Sequence, residues 1–177
     1  MNSTKNGFTD KGLIRQIKTG KFHLSKNPIE KLKNKRNYND WFKPHGFWYS
    51  CGKQWINFYI DGFDDDLCCY LYKIKIEDLT TDLNNIKNHK ILVVNSKNRL
   101  DNFGKKYRIR SQKMWLINWS LVYKDFDGIE FCPYFNKANS KYIFYSSLDI
   151  ASGCIWNIDK IKDLYLIASK RDNKWYI

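Results

Sequence analysis

The apolar residues of this chain occur in short runs, and that pattern limits the folds it can adopt. Two of the longest runs, residues 67–72 and Ile91–Val94, have the length of single strands. A membrane-spanning helix needs about 20 mainly apolar residues, so the sequence predicts no transmembrane segment. Residues 1–7 also lack the apolar stretch of a secretory signal. We therefore expect an intracellular, cytoplasmic protein that does not contact membranes.

Aromatic residues make up 17 % of the 177 residues. A disordered chain contains few such rings, and a chain of this length can bury a sizeable core. The sequence shows no internal repeat and no linker rich in glycine, serine or proline. We therefore expect one domain that spans residues 1–177.

The five cysteines match neither a metal site nor a disulfide framework. None of them forms a C-x-x-C pair. Cys68 and Cys69 are adjacent, so on a strand they would point to opposite faces. The sequence therefore predicts free thiols in a reducing compartment and no bound metal.

Local patterns predict an α+β fold in which strands predominate. Helices are expected where apolar residues recur at helical spacing near capping or turn residues: residues 9–20, 27–36, 55–62 and 115–127. Strands are expected at residues 21–25, 47–50, 67–76, 90–95, 129–132, 141–145, 154–157 and 164–167. The run of short strands late in the chain favours α+β over regular βαβ winding.

The net charge of +13 favours an anionic partner, and nucleic acid is the first candidate. The basic excess is nearly all lysine, however, and the chain is rich in Asn and Ile. Coding bias in an AT-rich genome explains the charge equally well. Residues 105–110 alternate bases with apolar residues, which is typical of a strand edge protected by charge or of a nucleic-acid track. The basic residues there are Lys105, Lys106, Arg108 and Arg110.

Five residues are candidates for chemistry. His23 lies on the first predicted strand, Tyr49 and Ser50 on the second, Tyr59 on the helix that follows, and Glu130 on a late strand. Taken alone, Glu130 is either a solvent-facing strand residue or an acid held at a pocket wall. His23 and the two tyrosines fit core packing as well as they fit a binding role.

The order of these residues resembles the mono-ADP-ribosyltransferase superfamily, in its diphtheria-toxin-like and PARP-like branch with a His–Tyr–Glu signature. That branch has a first strand with His, a second strand of the G-F-Y-S kind, a Tyr about ten residues later and a Glu on a late strand. This chain has His23, Gly-Phe-Trp-Tyr-Ser at residues 46–50, Tyr59 and Glu130. It departs from the pattern in the extra tryptophan and in Leu24, where the family often has glycine.

The resemblance implies a fold of two packed, mainly antiparallel sheets with flanking helices around an NAD cleft. It implies that Glu130 is catalytic and stabilises the oxocarbenium-like ribose formed when the nicotinamide–ribose bond breaks. It further implies that His23 binds the adenosine-side ribose, that Tyr49 and Tyr59 hold nicotinamide between their rings, and that Ser50 supports this geometry. NAD would be a substrate, and no metal would be needed.

The sequence therefore predicts an enzyme of the glycosyltransferase class, an NAD-dependent mono-ADP-ribosyltransferase. Its acceptor would be a macromolecule, with DNA or RNA favoured over protein. One alternative is a non-enzymatic, basic nucleic-acid-binding module. Others are a relative of the same fold that acts as an NAD glycohydrolase or as an RNA 2′-phosphotransferase. The phosphotransferase is disfavoured because its phosphate site would require a cluster of Arg and His that the sequence does not show.

Overall fold

A computed structural model describes residues 7–34, 42–62, 69–86, 88–110, 115–136 and 142–177. The chain divides into two compact units. The first comprises Met1–Leu32, Tyr49–Lys75 and Asp163–Ile177, and the second comprises Lys33–Trp48 and Ile76–Lys162. Helices and strands are both present, so the α+β class is confirmed. One domain over residues 1–177 stays a prediction.

Helices and short strands follow one another along the chain. The helices are α1 (Asp10–Gln16), α2 (Gln54–Gly62), α3 (Lys97–Tyr107), α4 (Trp119–Asp125) and α5 (Ile143–Ser146). The strands are β1 (Lys21–Ser25), β2 (Phe47–Cys51), β3 (Tyr70–Ile76), β4 (Leu79–Thr80), β5 (Ile91–Val94), β6 (Gly128–Phe131), β7 (Ser152–Ile155), β8 (Ile161–Arg171) and β9 (Lys174–Tyr176). Among the described residues, no helix is long and apolar enough to cross a membrane.

The first unit places its strands in the order β2-β1-β3-β8-β9. β1 pairs antiparallel with both β2 and β3, and β8 pairs antiparallel with β9. The predicted first helix is confirmed: the Thr9 hydroxyl caps α1 by accepting the Gly12 N–H at 3.2 Å. The apolar face of α1, which includes the fully buried Leu13, packs into a core that also contains Phe22 and Trp175.

The second unit has the strand order β4-β5-β6-β7. β4–β5 and β5–β6 are parallel, and β6–β7 is antiparallel. The expectation of mainly antiparallel strands is therefore wrong for this unit. The reason is that β5 and β6 are joined by α3 and α4, and a helical crossover of this kind lets consecutive strands run parallel. The described strands of this unit also form one open sheet rather than two packed ones.

An aromatic core fills the second unit. Phe103 of α3 lies at its centre, with its ring centroid 6.1 Å from Trp119, 5.9 Å from Phe131 and 5.8 Å from Phe144. Tilted and edge-to-face arrangements at these distances are favourable for aromatic rings. These four side chains are almost completely buried, so the high aromatic content predicted a real core.

Two local predictions differ from the structure, and one helix has no counterpart among the predictions. Residues 28–34 are not helical, and residues 35–36 lie outside the described residues. There the Ile29 N–H donates to the Tyr72 hydroxyl at 2.9 Å, a bond across 43 residues that local pattern does not reveal. The strand expected at residues 141–145 is instead the helix α5 from residue 143 onward. The helix α3, capped by Ser96, was not predicted.

The described cysteines, Cys51, Cys69, Cys132 and Cys154, are free thiols. Cys68 lies outside the described residues. Cys154 is fully buried, and burial raises the pKa of its thiol well above the ordinary value. Such a thiol stays protonated and unreactive, so the structure favours a packing role for Cys154.

Candidate functional site

His23 lies in the middle of β1 and is half-buried. In register it lies opposite Tyr72 of β3. Its ring centroid is 6.2 Å from that of Trp55, with the two planes inclined by 47°. Trp55 belongs to α2, which packs against β1. His23 therefore lies beside the helix that carries Tyr59, and part of its side chain remains accessible to solvent.

Tyr49 and Ser50 are both fully buried on β2. The Ser50 hydroxyl donates to the Gly52 carbonyl oxygen at 2.9 Å, and Ser50 lies opposite Phe22 of β1. The Lys21 ammonium lies 5.4 Å from the centroid of the Tyr49 ring. A nicotinamide ring could stack on Tyr49 only after covering atoms move, because the side chain has no exposed surface. Ser50 is positioned by the strand pair, as a supporting residue must be.

Tyr59 lies on α2, where the predicted helix is confirmed. Trp55, Ile56 and Tyr59 follow helical spacing and pack against the apolar core of the first unit. Tyr59 is half-buried, so it contributes to the core and keeps some exposed ring surface. Its role in holding nicotinamide stays a prediction.

Glu130 lies in the second unit, on β6, whereas the other four candidates belong to the first. Its side chain is only 5 % exposed, and strands β5 and β7 flank it on both sides. The solvent-facing interpretation of Glu130 is therefore wrong. In register it lies between Val93 and Gly153, and the glycine adds no side chain beside the carboxylate. Carboxylates are almost never buried to this degree without a specific partner or role.

Sequence reasoning missed a polar cavity of about 520 Å³ in the second unit. Its lining includes Lys160, whose ammonium lies 2.8 Å from an Asp78 oxygen and 3.9 Å from an oxygen of the buried Asp127. The hydrogen bond and charge of Lys160 hold the pKa of Asp78 below its ordinary value. Asp127 itself is the signal in the sequence, because it is an acid placed between the apolar Phe126 and the strand β6. The lining comprises Glu77, Asp78, His89, Asp127, Asn157, Asp159 and Lys160.

Residues 105–110 do not form a continuous strand edge, although Arg108 forms an antiparallel β-bridge with Ile117. Lys105 and Lys106 lie in the last turn of α3, and Arg108 is its C-cap residue. The strand-edge interpretation is therefore wrong for the first part of this stretch, because its backbone is helical. Lys105, Lys106, Arg108 and Arg110 are all exposed, and a nucleic-acid track stays a prediction.

Comparisons of the chain with protein-family models, with curated proteins and with solved structures found no match. The resemblance to mono-ADP-ribosyltransferases therefore depends on the residues of the chain itself. Its elements are the order of His23, Tyr49, Ser50, Tyr59 and Glu130 and their positions on strands and helices.

Proposed function

We propose that the chain is an NAD-dependent mono-ADP-ribosyltransferase in which Glu130 is the catalytic residue. The burial of Glu130 on β6, next to Gly153, carries the proposal. Burying a carboxylate on a strand that lies between two other strands costs free energy unless specific partners compensate it. A buried carboxylate is useful to an enzyme that must stabilise positive charge away from water.

The chemistry proposed for Glu130 is electrostatic. Breaking the nicotinamide–ribose bond leaves a ribose with oxocarbenium character, as in glycoside hydrolysis. A fixed negative charge next to that ribose stabilises the transition state more than the ground state, because positive charge moves from the nicotinamide ring onto the ribose only during the reaction. The acceptor then attacks the anomeric carbon as the bond to neutral nicotinamide breaks, and the proton of the acceptor group is released.

The proposal gives NAD-binding roles to His23, Tyr49, Ser50 and Tyr59, in a cleft like that of mono-ADP-ribosyltransferases. His23 would hydrogen-bond the adenosine-side ribose, and its partial exposure supports that role. Tyr49 and Tyr59 would hold nicotinamide, with Ser50 supporting the arrangement. The adjacency of β1 and β2 and the packing of α2 against β1 support this grouping.

The substitution Glu130→Gln tests the proposal, because it keeps the shape of the side chain and removes its charge. Nicotinamide release from NAD should fall by about 100-fold or more, while the Kd for NAD stays within several-fold of wild type. Nicotinamide release is followed chromatographically and NAD binding by calorimetry. Glu30→Gln, the same change at an exposed residue, should leave both quantities at wild-type levels.

Three outcomes would contradict parts of the proposal. Unchanged release by the Glu130→Gln variant removes Glu130 from the mechanism. Wild-type protein that does not bind NAD favours the non-enzymatic nucleic-acid-binding module. Release of free ADP-ribose alone, with none attached to DNA, RNA or protein acceptors, identifies an NAD glycohydrolase instead of a transferase.

A further inference from the structure

One stretch of the second unit concentrates positive charge. Residues 102–124 contain six basic residues and no acidic one, although 18 of the 177 residues are acidic. The basic residues are Lys105, Lys106, Arg108, Arg110, Lys113 and Lys124. Lys105 and Lys106 lie in α3 and Lys124 lies in α4, whereas Lys113 lies outside the described residues.

The end of α3 leads into a short antiparallel pairing. The Asn118 N–H donates to the Tyr107 carbonyl oxygen at 2.8 Å, and the Ile109 N–H donates to the Leu116 carbonyl oxygen at 2.9 Å. Arg108 lies opposite Ile117 in this pairing. Residues 107–109 and 116–118 therefore form a two-stranded ribbon, anchored by the buried side chains of Tyr107 and Ile117.

An arginine–tryptophan pair lies on this ribbon. The Arg108 guanidinium carbon is 4.7 Å from the centroid of the Trp115 ring, a favourable cation–π distance. The Trp115 ring also meets Tyr142 edge-on at 5.2 Å and packs closely on Gly104, where an added Cβ would lie 3.0 Å from the ring. Gly104 and Tyr142 thus hold the Trp115 ring in place, and the exposed Arg108 lies over that ring.

The charges around this pair are not all explained by helix stability. Lys105 and Lys106 lie in the last turn of α3, where cations are favourable near the negative end of the helix dipole. The Lys106 ammonium donates to the Leu83 carbonyl oxygen at 2.7 Å and lies 3.5 Å from an Asp125 oxygen. The dipole gives no reason for Arg110 beyond the helix, nor for Arg108 to lie over a tryptophan.

We propose that Lys105, Arg108, Arg110 and Trp115, the basic–aromatic surface, bind single-stranded nucleic acid. One base stacks on the Arg108–Trp115 pair, because guanidinium groups and aromatic rings both offer planar surfaces to bases. Lys105 and Arg110 contact the phosphates on either side. A single strand is favoured over a duplex because its bases are available for stacking. The strand is the acceptor of ADP-ribose if the proposed function holds, but its binding does not require NAD.

Labelled single-stranded DNA and RNA oligonucleotides, titrated at several salt concentrations, test the proposal. Arg108→Lys keeps the charge and removes the planar group, so it should weaken binding about tenfold without changing the salt dependence. Lys105→Ala should instead lower the slope of log K against log salt by about 0.7, the value of one phosphate contact with a single strand. Arg171→Lys, at an exposed position in the first unit, should behave as wild type.

Three results would overturn the proposal: no binding by wild-type protein at low salt, wild-type affinity in Arg108→Lys, or equal affinity for duplex and single strand. Nicotinamide release into water should be unchanged in Arg108→Lys, because the residue takes no part in the chemistry proposed for Glu130. Oligonucleotide binding without NAD cleavage would therefore contradict the proposed function alone. NAD cleavage without oligonucleotide binding would contradict this proposal alone.

Discussion

Tyr107 shows how one hydroxyl group is accommodated in the core of the second unit. Its side chain is almost completely buried, and the hydroxyl donates to an Asp125 oxygen at 2.6 Å. The same oxygen lies 3.5 Å from the Lys106 ammonium. The hydroxyl therefore links the aromatic core to a charged pair at its edge, and the helices α3 and α4 are joined by that contact.

We expect Tyr107→Phe to lower the free energy of unfolding by about 1 kcal/mol, because the partly buried hydrogen bond to Asp125 is lost. Urea denaturation measures the change. Tyr165→Phe is the matched control, since Tyr165 is 51 % exposed, and it should change stability by less than about 0.5 kcal/mol. Equal losses in the two variants would show that the bond between Tyr107 and Asp125 does not stabilise the fold.

At the scale of elements, Gly46 is required by the close approach of two chain segments. It opens the Gly-Phe-Trp-Tyr-Ser motif and leads directly into β2. A Cβ at Gly46 would lie 2.5 Å from the Ile155 carbonyl oxygen and 2.7 Å from the Cys154 sulfur. The backbone of β7 therefore leaves room for no side chain here. This packing accounts for the motif glycine without reference to NAD.

Gly46→Ala should accordingly destabilise the protein by about 2–3 kcal/mol, since the added methyl group meets backbone that cannot easily move. Gly52→Ala is a contrasting control. Gly52 has a φ of +66° with nothing within 4 Å of the added Cβ, so the cost should be the conformational one of about 1–2 kcal/mol. Thermal unfolding measured by circular dichroism compares them, and a larger loss for Gly52→Ala would contradict the packing argument.

At the scale of the whole molecule, buried tyrosines make the free energy of unfolding depend on pH in the alkaline range. Burial raises the pKa of Tyr107 and Tyr145 above the ordinary value of 10.0, and the hydrogen bond to Asp125 raises that of Tyr107 further. Above pH 10 both tyrosines therefore lose protons in the unfolded chain but keep them in the folded one. Proton release then favours the unfolded state, so stability falls as pH rises.

The expected result is a free energy of unfolding that is independent of these two groups below pH 10 and decreases above it. Tyr107→Phe removes one of the two groups, so the decrease should be less steep in that variant than in the wild type. Urea denaturation at a series of pH values gives the two curves. Parallel curves for variant and wild type would show that Tyr107 ionises equally in both states.

The sequence by itself determined the elements whose signals lie within a few residues. The sequence correctly predicted the helix α1, the strand β1, the helix α2 from the spacing of Trp55 and Tyr59, and the strands β3 and β5 from short apolar runs. Residues 67–68 of the predicted third strand lie outside the described residues. These signals are local because capping, helical periodicity and strand alternation depend on near neighbours. Local pattern also selected Glu130 as a candidate, but left its environment open.

Tertiary structure decided the rest, since pairing and burial depend on residues far apart in the chain. The parallel pairing of β5 with β6 follows from the crossover through α3 and α4. An apolar run such as residues 143–146 fits either a helix or a strand, and in the fold Ile143–Ser146 form a helix in which Phe144 and Tyr145 are fully buried. Tyr49 and Glu130 are both buried by distant segments of the chain, which the residues next to them in the sequence do not identify. The sequence thus identified the residue types at the candidate site. The burial of the Tyr49 and Glu130 side chains, in contrast, depends on packing between residues far apart in the chain.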